Sequence, residues 1–246
     1  IAKERGLFII QDCAHAIESE WHGKNLAAYG DLSCYSFYAT KNVTTGEGGM
    51  VTTARDDWAD RIRMLALHGL DKGAYNRYSE GGSPLYDLIE PGYKFNMPDT
   101  AAALGIEGLA LAEKRLLRRT EIWQKYTSGL GDLPGLTLPA PEASGTRHAR
   151  HLFTCVIDSE TAGINRDRIL ECLASENIGT GLHYRPVHRF SYYKNKYGFT
   201  DVDFPHASRI GDGIFSLPLT AYLTDDEVGD VIRAVTRIIL HYSRLS

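Results

Sequence analysis

The chain has 246 residues, 43% of them hydrophobic and 24% charged, which is enough apolar material for one large or two modest domains. Disorder needs low hydrophobicity with high net charge, and neither is present. A formal net charge of −4 leaves no basic footprint for a nucleic-acid partner.

Cys13, Cys34, Cys155 and Cys172 are scattered, with no CxxC pair and no metal-ligand spacing. They are expected to be free thiols of a reducing compartment, and no bound metal is expected. No apolar run approaches the ~18 residues needed to span a bilayer. No secretory leader is visible, so the expectation is a cytoplasmic protein.

The chain opens on IAKERG, which reads as the tail of a helix closed by a glycine C-cap at Gly6. An opening of this kind is expected of a domain cut from a longer one, with a strand set upstream. Residues 7–10 (LFII) are a short continuous apolar run, which suits a strand buried on both faces of a parallel sheet. Asp12 then stands just past its end, where α/β folds place ligands. Residues 31–38 form a second, aromatic-rich strand candidate. Residues 39–49 (ATKNVTTGEGG) are a polar, glycine-rich loop, and 50–53 a third short strand.

A helix is expected over 56–67, with Trp58, Ile62, Leu65 and Ala66 on one side. Residues 68–92 are a long polar connection. Helical period returns at Asp99 and runs far enough for more than one helix. The turn-rich break at 133–141 marks a hinge between domains. Beyond it lie a strand at 151–157, a helix at 166–176 with Ile169, Leu170 and Leu173 as its stripe, and a further strand from 178 to 184. Thr224 and Glu227 have the spacing of a capping box. They open a helix with Val228, Val231, Ile232, Val235, Ile238 and Ile239 on one face.

Three residues suit pyridoxal 5'-phosphate when taken together. Lys41 would form an imine with the cofactor aldehyde. Asp12 would pair with the pyridine nitrogen and keep it protonated. Ser36 would donate a hydrogen bond to the phosphate. Glycines at 46, 48 and 49 would let the backbone pass close to the ring without a Cβ in the way. The loop is not a nucleotide P-loop, because the following Lys-Ser/Thr is absent. Each residue alone is weak: a lone lysine is usually a solvated charge, and an aspartate at a strand end is usually a turn residue.

DCAHA at 12–16 and GDLSCYSFYATKNVTTGEGGMVTT at 30–53 together resemble the DegT/DnrJ/EryC1/StrS aminotransferases. The likeness continues through GYKFNMPDTAAALG at 92–105, GTGLHYRPVH at 179–188 and SLPL at 216–219, and so covers nearly the whole chain. The resemblance implies an α/β chain of the type I, aspartate-aminotransferase-like PLP fold. Residues 1–130 would be the C-terminal part of the cofactor-binding large domain, with a mostly parallel sheet, and residues 131–246 a small α+β domain. It also implies a homodimer with the active site at the subunit interface and no membrane insertion. The activity implied is amino transfer from glutamate or glutamine to a keto-sugar nucleotide. HGL at 68–70, PGYKFNMPD at 91–99, GINRD at 163–167 and GTGLH at 179–183 are similar to the subgroup that aminates UDP-4-keto-arabinose for lipid A modification. That implies C4 of a UDP-sugar and a role in lipopolysaccharide or other cell-surface polysaccharide. C3 amination, or a non-catalytic regulatory protein on the same fold, are the alternatives.

By the same resemblance Lys41 matches the cofactor lysine, Asp12 the ring-nitrogen partner and Ser36 the phosphate ligand. His15 matches the position against the ring or its 3′-oxygen. Lys94 stands where many members carry an asparagine that reaches the neighbouring subunit's phosphate, with Asn96 two residues on, so either or neither could serve. His183, His188, Glu47 and Arg185 fall to the substrate, and Arg77 is a further candidate for an oxyanion. The family's dehydratase branch carries histidine at the cofactor lysine, and Lys41 argues against it.

Overall fold

The computed structural model describes residues 1–71 and 85–245. Its contacts divide the chain into two units: Ile1–Glu113 with Ala143–Ala149, and Lys114–Glu142 with Arg150–Ser246.

In unit 1 a single helical turn, α1 (Ala2–Arg5), stops at Gly6, whose φ of 61° closes it as expected of a glycine C-cap. The first strand, β1 (Ile10–Asp12), begins where the apolar run ends. It pairs parallel with β4 (Leu32–Ser36), in the register Ile10↔Leu32, Gln11↔Ser33 and Asp12↔Cys34. On its other side β4 pairs antiparallel with β5 (Gly49–Thr52), giving the order β1-β4-β5. The sheet expected to be mostly parallel therefore has one parallel and one antiparallel pairing.

The expected burial of residues 7–10 is overturned. Leu7, Phe8, Ile9 and Ile10 are between 41% and 69% exposed. Among the described residues β1 has β4 as its sole ladder partner, so this run lies at a sheet edge, with Phe8 packed edge-on against Trp58 at 5.1 Å. Trp58 belongs to α2 (Asp56–Ala66). A second small sheet joins β2 (Glu20–Trp21) to β3 (Lys24–Asn25) and to β7 (Thr146–Arg147), which is how residues 143–149 return to unit 1.

The long helical region is two helices, α3 (Asp99–Ala110) and α4 (Ala112–Leu130), joined at Leu111. The units divide inside α4, at 113/114; the expected domain boundary at 130/131 is that helix's C-terminal end. α3 carries apolar residues on all its sides. Its buried positions are Gly105 and Gly108, while Leu104 and Ile106 are 61% and 68% exposed.

Unit 2 is built on an antiparallel sheet of β6 (Leu136–Thr137), β8 (Phe153–Ile157) and β9 (Ile214–Leu217), in the order β6-β8-β9. Alternation along β8 turns Phe153, Cys155 and Ile157 inward. They meet Ile122, Tyr126 and Leu130 of α4, and Ile169 and Leu173 of the helix Arg166–Ser175, within one apolar core. The last helix, Asp225–Ser243, adds Val228, Val235 and Ile239 to that core. It begins with the expected capping box, in which Thr224 Oγ1 accepts from Glu227 N–H and Glu227 Oε2 accepts from Thr224 N–H. The strand expected over 178–184 is reduced to a single bridge, Gly181↔Ser216. Among the described residues no helix is long and apolar enough to cross a membrane, and no cluster of three or more His, Cys, Asp or Glu could hold a metal ion.

Candidate functional site

Parallel pairing sets the geometry of the site. Asp12 is in register with Cys34, and Ser36 lies two residues further along the same strand. Strand side chains alternate, so Asp12, Cys34 and Ser36 project from one face. Strand rise and spacing put the Asp12 and Ser36 backbones roughly 8 Å apart. Asp12 ends β1 and Ser36 ends β4, so a carboxylate and a hydroxyl stand together at the C-terminal ends of adjacent strands. Each is oriented locally: Asp12 Oδ1 accepts from Ala14 N–H at 3.0 Å, and Ser36 Oγ accepts from Tyr38 N–H at 3.3 Å.

Lys41 lies five residues past Ser36, on the loop that carries the chain from β4 back to β5. The loop is anchored on buried Phe37. The Phe37 carbonyl accepts from Thr45 N–H at 2.9 Å and from Thr44 Oγ1 at 3.1 Å, while Phe37 N–H donates to Gly48 O at 2.8 Å. Lys41 N–H closes a turn on Tyr38 O at 2.9 Å, and Lys41 itself is half-buried. Val43 and Thr45 turn inward against α3, where a Cβ on Gly108 would stand 3.1 Å from Val43 Cγ1 and one on Gly105 3.0 Å from Thr45 Cγ2. The helix thus approaches the lysine loop through its glycines. Gly48, at φ 154°, is required for a nearer reason: a Cβ there would meet Thr45 Oγ1 at 2.5 Å.

Cys13, one residue beyond Asp12, is buried, and that burial pushes its thiol pKa up. It therefore packs as a neutral group. His15 is exposed in the turn that follows. Exposed Glu47 fixes its own backbone, its carbonyl accepting from Thr45 Oγ1 at 2.7 Å. The Lys94 ammonium donates to Asn96 Oδ1, so these two candidates engage each other. Their segment is zipped to the end of α2 by Tyr93 N–H on Leu65 O and Phe95 N–H on Ala66 O.

Sequence reasoning missed two residues of unit 1. The Asn42 amide, next to Lys41, donates at 2.9 Å to Glu18 Oε2 and at 2.9 Å to Ala149 O. Glu18 is only 5% exposed. Neither residue carries a periodicity or a spacing that would have flagged the pair.

The remaining candidates belong to unit 2. His183 Nδ1 is 2.8 Å from Ser216 Oγ, beside the Gly181↔Ser216 bridge. Exposed Arg185 donates to Arg189 O at 2.9 Å. His188 turns inward, 5% exposed, stacked on Phe204, with Nε2 3.0 Å from both Asp201 Oδ1 and Ser208 Oγ. Arg189 bridges Asp201 and Asp212, and its guanidinium, with His188, holds the Asp201 carboxyl down to about 2. Arg77 lies outside the described residues.

Chemically, unit 1 offers a primary amine, a carboxylate that favours a neighbouring cation, and a hydroxyl that can donate to an oxyanion. This donor set fits an aldehyde, a protonated ring nitrogen and a phosphate carried on one molecule.

Comparison with known proteins bears on what such a set is for. The family model described as the DegT/DnrJ/EryC1/StrS aminotransferase family matches residues 1–236. The chain is 43% identical over 240 residues to the spore coat polysaccharide biosynthesis protein SpsC of Bacillus subtilis (strain 168), covering 97% of this chain and 61% of SpsC. Among solved structures, the aminotransferase TlmJ from Streptoalloteichus hindustanus superposes with a TM-score of 0.83 at 28% identity, over 98% of this chain and 60% of TlmJ. Spr1654 from Streptococcus pneumoniae in its PLP-form gives a TM-score of 0.83 at 30% identity, over 96% of this chain and 58% of Spr1654. The chain thus spans about three-fifths of the length of the relatives it matches.

Proposed function

This chain belongs to the DegT/DnrJ/EryC1/StrS aminotransferase family, and from that membership we propose that it serves transfer of an amino group from glutamate or glutamine to a keto-sugar nucleotide, with pyridoxal 5'-phosphate as carrier. The observation that carries the proposal is the shared face of Asp12 and Ser36 at the ends of paired parallel strands, with Lys41 held on the loop that leaves the second of them.

Bound pyridoxal phosphate supplies an electron sink that makes the substrate's Cα–H acidic. Lys41 would hold the cofactor by its aldehyde carbon. Once freed, the Lys41 amine would carry a proton to and from the substrate's Cα. Asp12 would keep a proton on the ring nitrogen by setting a negative charge beside it. Ser36 would donate its O–H to the phosphate. His15 would lie against the ring, and Lys94 or Asn96 would serve a neighbouring subunit's phosphate. Glu47, His183, His188 and Arg185 are proposed for the substrate, each to be judged on its own variant. The inward-facing hydrogen bonds of His188 suit a residue that shapes the 187–189 turn.

The identity of SpsC supports a product bound for a cell-surface polysaccharide, and the wording of residues 68–70, 91–99 and 163–167 supports C4 of a UDP-sugar. A homodimer belongs to the same reading. Leu104 and Leu109 flank the buried glycines of α3 and Ile106 projects from its far side, exposed apolar positions that a second subunit could cover. The experiment is an amination assay against 4-keto and 3-keto sugar nucleotides, with product regiochemistry read by NMR. A C3 product would overturn the choice of carbon. No cofactor-dependent amination of any keto-sugar would return the chain to a non-catalytic role.

A further inference from the structure

We propose that Asn42 and Glu18 are positioning residues for Lys41, an inference that rests on the cofactor reading above. Asp12 ends β1 and Lys41 rides the loop after β4, and on that reading the two must grip one ring from two sides. The β1-β4 ladder ends at Asp12↔Cys34 and the β4-β5 ladder at Ser36↔Gly49, so neither reaches Lys41 or Glu18. The Asn42 side chain supplies a second tie above the strand ends. One amide nitrogen donates to Glu18 Oε2 and to Ala149 O, both at 2.9 Å. Glu18 sits six residues past Asp12, so the bond closes a ring through Asp12, Glu18, Asn42 and the strand pair.

Glu18 is itself held in place. Arg147 Nε donates to the Glu18 carbonyl at 3.0 Å, and its guanidinium pairs with Glu20 at 2.6 Å. Only an amide of this length offers two N–H donors in that place. Aspartate has none, and it would set a second carboxylate against buried Glu18. With two acceptors on one amide nitrogen, the tie must break both bonds to let Asn42 move. Asn42 and Glu18 thereby limit where the Lys41 backbone can go as its side chain alternates between cofactor and solvent.

The test separates positioning of Lys41 from general support of the fold. The aldehyde form of the cofactor uses Lys41 covalently, whereas the amine form, pyridoxamine phosphate, binds without it. Purified protein and its Asn42→Ala, Glu18→Ala and Glu18→Gln variants are titrated with pyridoxal phosphate, read by the absorbance of the lysine-bound cofactor, and with pyridoxamine phosphate, read by equilibrium dialysis. Asn42→Ala and Glu18→Ala are expected to lose about tenfold or more in affinity for the aldehyde form, as displaced reacting groups do, and to keep their affinity for the amine form. Glu18→Gln keeps an acceptor for Asn42 and is expected to restore binding. Equal losses for both forms, or no loss for either, would overturn the proposal while leaving the cofactor site intact. Wild-type protein that binds neither form would overturn the cofactor reading and this inference with it. Glu18→Ala removes the buried carboxylate, so the test does not depend on Asn42→Ala folding.

Discussion

Gly69 and Gly92 meet backbone to backbone, so closely that neither has room for a side chain. A Cβ on Gly92 would stand 2.3 Å from the Gly69 nitrogen, and one on Gly69 would stand 1.6 Å from the Glu90 carbonyl oxygen. Gly69 also has φ 75°, in the left-handed region. The contact seats residues 92–95 against the end of α2 and so fixes where Lys94 begins. Gly69→Ala is expected to destabilise by about 3 kcal/mol or more, because strained backbone and overpacking add. Urea unfolding would measure it, and an unchanged midpoint would mean that the turn relaxes freely.

Lys41→Ala is expected to abolish both turnover and the visible absorbance of covalently held cofactor, while the protein still binds pyridoxamine phosphate. Spectra and single-turnover assays on the purified variant would measure this. Wild-type rates in Lys41→Ala would remove the assignment altogether.

Asp12→Asn keeps the shape of the side chain, including an oxygen able to accept from Ala14 N–H, and removes the charge. The ring nitrogen then loses its electrostatic support. At saturating cofactor, kcat is expected to fall on the order of a hundredfold, the usual scale for loss of one preorganised stabilising group. A kcat equal to wild type would show that Asp12 does not face the ring.

Asp201 gives a pH signature in unit 2. Arg189, with His188 and Ser208, lowers its carboxyl from the ordinary 3.8 to about 2. A depressed acid stabilises the folded state above its unfolded value, and that contribution is lost as pH falls through the folded one. Asp201→Asn should therefore melt below wild type at pH 5, with the gap closing between about pH 4 and 2. Thermal melts across that range would measure it. A gap that does not change with pH would assign the effect to packing. The carboxylate is well exposed, so the gap should be small and should shrink with salt.

What could be read in the sequence was what is locally encoded. Thr224 and Glu227 announced a helix because capping acts over three residues, and the strand read at 151–157 is β8, along which burial alternates. Order and spacing singled out Lys41, Asp12 and Ser36, and the parallel register of β1 with β4 puts Asp12 and Ser36 on one face. Long-range pairing left no such trace. The sheet joining Trp21 to Thr146 is two residues wide at each strand, and the bond from Arg147 Nε to Glu18 O spans 129 positions. The bonds of Asn42 to Glu18 and Ala149 were hidden for the same reason. The run at 7–10 misled differently: its residue types matched a buried strand, but hydrophobicity alone does not say how many neighbours a strand has.

That edge position carries a consequence for failure. Among the described residues Asp12 closes a three-residue strand zipped along one flank, whereas Lys41 rides a loop knotted to the Phe37 peptide from both sides. Fraying should therefore begin at the carboxylate and reach the amine last. On the proposed cofactor reading, a partly opened molecule would keep its grip on an aldehyde while losing the charge that makes the grip productive.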